Sequence, residues 1–535
     1  MTSANALKKR LNDQVAAIID TSETAQCEVI VRMGGPEAVD GAVLTGIRDG
    51  VLRRTLSTCA RDLLPAKASA LGQVDLAPTR PQRNELARAD KSLSAWLAAQ
   101  VIQPIALDLL KSTGLESLAP LVESDIVRSA IAAAAEAALA RGTRSARPAR
   151  PAEDPYVPIW ASNTAILTLE KDALKDLPQA VSGIQEIHPN SRLFVPPMVT
   201  PQELPAAVTD NKACSWGLAR TNALAAWGAY NARGQNILVG MLDTGVDATH
   251  PDIAGKIAHW AEFDSLGKMV PGSTPYDSDE HGTHCAGTIC GGNHSGRWIG
   301  MAPEARLAAA LVMNGKKGGT HGQILSGMQW AIERKVDVLS MSLGGLTLVP
   351  DVPDSYEIQI YNTLRVGIPV VVAIGNSGHQ TTGSPGNDYL AFAVGATDHH
   401  DRIAGFSGGR THIVRKSRIL HDDMLPLVYS KPELSAPGVA VYSSTPNKGG
   451  KPQWKAANGT SMATPHVAGA IAQLLSATSL KDKVSPSIVR AQLIQDLLMG
   501  SVEELGEVGQ DHRYGYGRLD VLRAIGAAHD LGYGP

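Results

Sequence analysis

Five short apolar runs recur between residues 236 and 397: NILVGML, ARLAAALVM, VDVLSMS, IPVVVAI and LAFAVGA. None alternates apolar with polar residues, as a strand with one wet face would. Each is therefore expected to be a strand covered on both faces. Segments of helical period lie between them, among them GQILSGMQWAIERK and SYEIQIYNTLRVG. Strands and helices in alternation, with both sheet faces covered, predict an α/β fold with a doubly wound, mostly parallel sheet.

The chain has 535 residues, about three times the length of one typical domain, so the sheet domain accounts for only part of it. QCEVIVRM at 26–33 reads as a strand and 41–63 as mostly helix. SLSAWLAAQVIQPIALDLLKS and LESLAPLVESDIVRSAIAAAAEAALA read as further helices. RGTRSARPARPAEDP at 141–155 has the Arg/Pro composition of a linker. A strand–helix–strand pattern then fills 163–195, and a Pro-rich second linker fills 196–212. The expected organisation is an α-rich region at 1–155, a β-α-β segment and linker at 156–212, and the sheet domain at 213–535.

Charge and cysteine content exclude several functions. Forty-nine basic against 52 acidic residues leave a net charge of −3, without the basic excess of a nucleic-acid binder. The most alanine-rich stretch is short and carries Glu136, so no membrane partner is expected. The N-terminal residues lack the apolar core of a secretory signal, which points to a cytoplasmic protein. Cys27, Cys59, Cys214, Cys285 and Cys290 are odd in number and scattered, unlike a disulfide framework. The spacing of the last two suits neither a zinc knuckle nor a CxxC pair.

Three motifs follow one another in the sheet domain. Asp243 ends a buried run in VGMLDTGVDATHPDI, His281 stands in DEHGTHCAGTI, and Ser461 precedes a helical pattern in NGTSMATPHVAGAIAQLL. A serine hydroxyl is a weak nucleophile at neutral pH and needs an imidazole to take its proton. A buried carboxylate must fix the tautomer of that imidazole and stabilise its cation. Asp247 and Asp252 read as turn residues nearby.

These motifs resemble those of the subtilisin-like serine proteases, the subtilases, over roughly residues 213–528, from WGLARTNALAAWG to GYGRLD, which is similar to the family's last strand. The resemblance implies a serine endopeptidase acting on polypeptides, with Ser461 as nucleophile, His281 as general base and Asp243 as its orienting carboxylate. His284 would be structural. Asn376, in PVVVAIGNSG, would form the oxyanion hole with the Ser461 backbone N–H. Ser342, Leu343 and Gly344 of MSLGG would offer an edge to an extended peptide. Ala373 and Gly375 would form the opposite wall of the P1 pocket, with Gly383 at its floor, leaving room for large apolar side chains. Asp277, Asp279 and Glu280 would either attract basic P2 residues or form a solvated acidic loop. Cys285 resembles the proteinase K branch, which implies mercurial sensitivity unless the thiol is a buried structural one.

Two segments depart from the family pattern. In CGGNHSGRWIG, where many subtilases bind a structural calcium, His294 replaces an expected asparagine ligand. No metal and no cofactor are therefore expected, although Asp252 matches another ligand of that site. Residues 410–431, RTHIVRKSRILHDDMLPLVYSK, form an insertion that would contact substrate, contact the N-terminal region, or be a surface loop.

Residues 163–195 resemble part of the subtilase propeptide, an α+β module, here with a helical insertion at roughly 60–150. This implies a zymogen whose own N-terminal region is an intramolecular inhibitor, with the linker 196–212 passing through or near the active site. The alternatives are a cytoplasmic protease released by a partner protein, and a catalytically silent binding scaffold.

Overall fold

The computed structural model describes residues 3–33, 156–162, 164–181, 183–194, 213–347, 356–420 and 422–535. They belong to two units, one before and one after the Asn190–Ser191 junction. The helices expected between 41 and 140, and the linkers at 141–155 and 196–212, lie outside the described residues.

The first unit contains helix α1 (Ser3–Thr21), β1 (Gln26–Met33), β2 (Tyr156–Ile159), β3 (Thr164–Glu170), α2 (Lys171–Ala180) and β4 (Ile184–Pro189). The strands form an antiparallel sheet in the order β2-β3-β1-β4. Cys27, Val29, Val31 and Met33 alternate onto one face of β1 and are buried there. Leu11, Val15 and Ile18 of α1, spaced i, i+4, i+7, pack onto that face with Leu174 and Leu177 of α2. The strand read at 26–33 thus sits between two strands that come more than 130 residues later.

The second unit begins with β5 (Arg192–Leu193). Its core is a seven-stranded parallel sheet made of β6 (Leu238–Asp243), β7 (Ile257–Glu262), β8 (Arg306–Leu311), β10 (Val338–Met341), β12 (Val370–Ala373), β14 (Phe392–Thr397) and β17 (Leu434–Pro437), in the order β17-β14-β12-β10-β6-β8-β7. The five apolar runs are five of these strands. β7 and β17 escape a reading by apolar runs, because IAHWAE is a mixed edge strand and LSAP is only four residues long. The helices α3 (His281–Cys290), α4 (His321–Glu333), α5 (Glu357–Arg365) and α6 (Thr460–Ser476) accompany the sheet. Every residue of α6 from Thr460 to Leu475 is buried, as a helix apolar on all sides requires.

Short antiparallel pairs complete the unit: β5 with β9 (Gly319–Thr320), β11 (Gly345–Thr347) with β13 (Thr382–Ser384), β15 (Arg410–Val414) with β16 (Leu427–Lys431), and β18 (Val441–Lys448) with β19 (Lys451–Ala457). The insertion at 410–431 is thus a hairpin rather than a loop. GYGRLD forms no continuous strand; Arg518 makes only isolated bridges to Ser435 and Glu503. No helix among the described residues is long and apolar enough to cross a membrane.

Candidate active site

The sheet order reverses at β6, which has β10 on one side and β8 on the other. In open α/β sheets, ligands bind beyond the carboxyl ends of the strands at such a point. Asp243 is the last residue of β6, Ser342 follows β10, and Asn376 follows β12.

Asp243 and His281 meet directly. His281 Nδ1 lies 2.7 Å from Asp243 Oδ1, and each side chain is 1 % exposed. The same Oδ1 accepts the Thr244 N–H at 2.7 Å. Burial by itself would lower the His281 pKa, but the adjacent Asp243 carboxylate outweighs it and holds the imidazole well above its usual value. Its Nε2 is buried and makes no hydrogen bond among the described residues.

The turn after Asp243 and the start of α3 are held together through Asp277. This half-buried carboxylate accepts the Thr244 hydroxyl (2.7 Å), the Thr283 hydroxyl (2.6 Å), the Thr283 N–H (2.7 Å) and the Asp279 N–H (3.0 Å). Burial pushes its pKa up against the pull of those donors. Thr244 Oγ1 in turn accepts the Gly282 N–H at 2.9 Å. The approach is so close that a Cβ at position 282 would stand 1.9 Å from the Gly245 carbonyl oxygen, so HGTH requires its glycine. Of the acidic trio, then, Asp277 is engaged by four donors of the protein itself, and Glu280 pairs with Lys455.

Ser461 is in the first turn of α6, where backbone N–H groups lack helical partners. Pro465, four residues on, has no N–H to bond the Ser461 carbonyl. That carbonyl instead accepts the Ser342 hydroxyl (2.9 Å) and the Cys285 thiol (3.4 Å). Cys285 Sγ is also 3.9 Å from His281 Nδ1, so the thiol sits between the two motifs. Burial raises its pKa, which keeps it protonated. The Ser461 hydroxyl itself donates to the Ser342 carbonyl at 3.3 Å, not to His281. Bond lengthening of this kind is common in uncomplexed sites.

Asn376 Oδ1 accepts both the N–H (2.9 Å) and the hydroxyl (2.8 Å) of Thr460, which turns its amide nitrogen the other way. His284 donates through Nε2–H to the Val441 (3.0 Å) and Lys455 (3.1 Å) carbonyls, and burial brings its pKa down to about 4.

The residues expected to line a cleft lie on the neighbouring edges. Leu343 is buried beside Gly344, and β11 continues from Gly344, placing Leu346 opposite Gly383 of β13. Gly383 N–H donates to the Ile374 carbonyl between Ala373 and Gly375 at 2.7 Å. One stretch of the chain itself occupies the Gly344 edge. Arg192 and Leu193 pair with Thr320 and Gly319, and the Phe194 carbonyl accepts the Gly344 N–H at 3.4 Å. Leu193 is buried against Gly345, and Phe194 is 51 % exposed.

Two groups bear on metal binding. Donor atoms of Asp243, His281 and Cys285 lie within 4.8 Å of one another, but they are engaged as described above. Asp252 meets N–H donors: its Oδ1 accepts from the His294 backbone and its Oδ2 from the Trp454 indole, both at 2.8 Å, and the His294 ring stacks on Trp454.

Sequence reading missed Thr244, Asp277 and Thr460 as supporting residues. Thr244 and Thr460 are the immediate neighbours of Asp243 and Ser461, so adjacency within the motif was the available signal.

The profile described as the Subtilase family matches residues 234–517. The major intracellular serine protease of Bacillus subtilis (strain 168) is 35% identical over 279 residues, 50% of this chain and 78% of its own length. Subtilisin DY of Bacillus licheniformis is 34% identical over 301 residues, 55% and 93% of the two chains. Subtilisin E of Bacillus subtilis (strain 168) is 32% identical over 370 residues, 68% and 80%. Together with the α/β sheet and its motif-bearing strand ends, these matches assign the chain to the subtilase family: it is a subtilisin-like serine endopeptidase, a hydrolase of polypeptides.

Proposed function

We propose that Asp243, His281 and Ser461 form the catalytic triad of this endopeptidase. The observation that carries it is the buried 2.7 Å contact between His281 Nδ1 and Asp243 Oδ1, with Nε2 left unengaged. The peptide lies along the Ser342–Gly344 edge, with its P1 side chain between Ala373, Gly375 and Gly383. The Ser461 hydroxyl turns from the Ser342 carbonyl to His281 Nε2, which takes its proton as Oγ attacks the scissile carbonyl carbon. The oxyanion is received by the Ser461 N–H and the Asn376 amide. His281 then protonates the leaving amine, and a water molecule repeats the sequence to release the acyl group. A fluorophosphonate should label Ser461 in the wild type once its N-terminal region has been released and leave Ser461→Ala unlabelled; labelling of both chains overturns the assignment, and labelling of neither even after release supports the silent scaffold. His281 must be neutral to act as base and its pKa is raised, so kcat/KM should rise with a midpoint above pH 6.5. A profile flat from pH 5 to 8 contradicts that role.

We infer further that the enzyme is made autoinhibited. Residues 191–194 take the Gly319 and Gly344 pairings that a substrate strand would use. In this reading the occluding contacts fall just before the linker 196–212, which the sequence led us to expect through or near the active site. Intact-mass measurement should show shortening of the wild type but not of Ser461→Ala; a full-length wild type that hydrolyses peptides freely rules the device out. Labelling only in the presence of a second protein would favour partner release. The names of two relatives, the intracellular serine proteases of Bacillus subtilis and Paenibacillus polymyxa, support a cytoplasmic setting.

No cofactor or structural calcium is part of this reading. Asp252 faces two N–H donors where a hard cation needs oxygen ligands. Excess chelator should leave the melting temperature unchanged, and a fall of more than about 2 °C, the scale of a 1 kcal/mol loss in a large domain, contradicts the assignment.

A further inference from the structure

The hairpin β15–β16 takes no part in the reaction just described, yet its contacts are buried and polar. At its root, the Gly408 N–H donates to the Gly375 carbonyl (2.9 Å) and the Gly409 N–H to the Thr381 carbonyl (2.8 Å). The first strand is thereby joined to the loop between Asn376 and Gly383. In the second strand, the buried Tyr429 hydroxyl donates to the Asn387 carbonyl at 2.5 Å, and its ring lies edge-on to Tyr389. The Asn387 side chain donates in turn to Thr347 of β11 at 3.4 Å. At the tip, the Ser417 hydroxyl and the Arg418 N–H donate to the buried Glu357 carboxylate of α5, which also receives the Tyr389 hydroxyl at 2.7 Å. A loose surface loop would give such groups to water. Here they surround one stretch, Gly383–Tyr389.

That stretch, GSPGNDY, starts with little side-chain volume of its own to fix its position. Its backbone is held by what bonds to it. A tyrosine hydroxyl on a strand is a stiff donor, and removing it would leave a buried carbonyl without that partner.

We propose that the hairpin is a specificity element of the protease, in which Tyr429 is a positioning residue that holds the Gly383–Asn387 wall and so sets the size of P1 side chain admitted. The inference rests on the assignment of Gly383 to the P1 pocket. A large P1 side chain reaches this wall and senses its position; an alanine does not.

The test compares two peptide amides that differ only in Phe or Ala at P1, using the full chain incubated to constant activity and titrated for active sites. Tyr429→Phe should lower the Phe-to-Ala ratio of kcat/KM about five-fold, the scale of one net hydrogen bond. The change should appear in KM for the Phe substrate, with kcat unchanged. Ser417→Ala, which releases the tip, should shift the ratio in the same direction by less. Gly383→Ala tests the pocket itself. The added Cβ would make only ordinary contacts, the nearest being the Ile374 carbonyl oxygen at 3.5 Å, and it should strongly disfavour Phe. If Gly383→Ala leaves the ratio unchanged, the pocket assignment is wrong and the hairpin's role falls with it. If Gly383→Ala shifts the ratio while Tyr429→Phe does not, or changes kcat equally on both peptides, the hairpin serves stability alone.

Discussion

The two sides of the cleft are held by different means. Around Ser461, the groups are joined to one another through residues that adjoin them in their motifs: Thr244, beside Asp243, accepts the N–H of Gly282, beside His281, and Thr460, beside Ser461, holds Asn376. Around Gly383–Tyr389, the fixing residues come from the insertion, outside those motifs: Tyr429 for Asn387, Ser417 for Glu357. Reaction geometry is thus carried in short motifs that tolerate little change. On the reading proposed above, pocket geometry is carried by an insertion that lies outside those motifs. Substitutions on the first side should therefore act on kcat, and those on the second on substrate preference or stability.

The largest effect should come from Asn376. Asn376→Ala removes an amide already oriented by two bonds from Thr460, and kcat should fall about 10²–10³-fold, the scale measured for this donor in subtilisin, with KM nearly unchanged. A loss confined to KM would break the division between the two sides.

On the hairpin side, burial and the nearby Asp388 push the Glu357 carboxyl up to about 7, against the bonds from Ser417, Arg418 and Tyr389. From an ordinary value of 4.5 up to about 7, the folded state holds a proton that the unfolded chain has released. Stability should therefore fall as pH rises through this window, by about 3 kcal/mol at most. Glu357→Gln does not titrate there, so its urea midpoint should vary less between pH 5 and 8 than that of the wild type. A wild type that gains stability relative to the variant over this range would reverse the sign and refute the account.

The smallest effect is expected at Thr244. Thr244→Val removes the hydroxyl linking Gly282 to Asp277, and kcat should drop about ten-fold through a misplaced His281. Thr244→Ser, which keeps the hydroxyl, should restore it. An equal fall in both variants would point to packing of the methyl group instead.

Much of the second unit is legible in sequence. Five apolar runs correspond to five sheet strands, because burial on both faces leaves a composition that does not depend on distant detail. Asp243 and His281 are likewise legible as a meeting pair through the resemblance of their motifs to those of the subtilases, whereas residue type alone does not separate Asp243 from Asp247 and Asp252. The edge strands β7 and β17 are not, since one is mixed in polarity and the other very short. The two readings offered for the acidic trio also fail for Asp277, since its burial and four donors arise from Thr244, Thr283 and Asp279 folding around it. Nothing in the composition of DSDEH separates that aspartate from Asp279 and Glu280.

By itself, the sequence determined the sheet, the order of its motifs and the residue types available for acyl transfer, because local pattern and side-chain chemistry suffice for those. Only the tertiary structure decided that residues 410–431 form a strut rather than a loop, that Asp252 is satisfied by N–H donors, and that residues 191–194 lie on the Gly344 edge. Each of these depends on which distant backbone groups meet, and hydrogen-bond partners separated by tens to hundreds of residues leave no periodic trace in the chain.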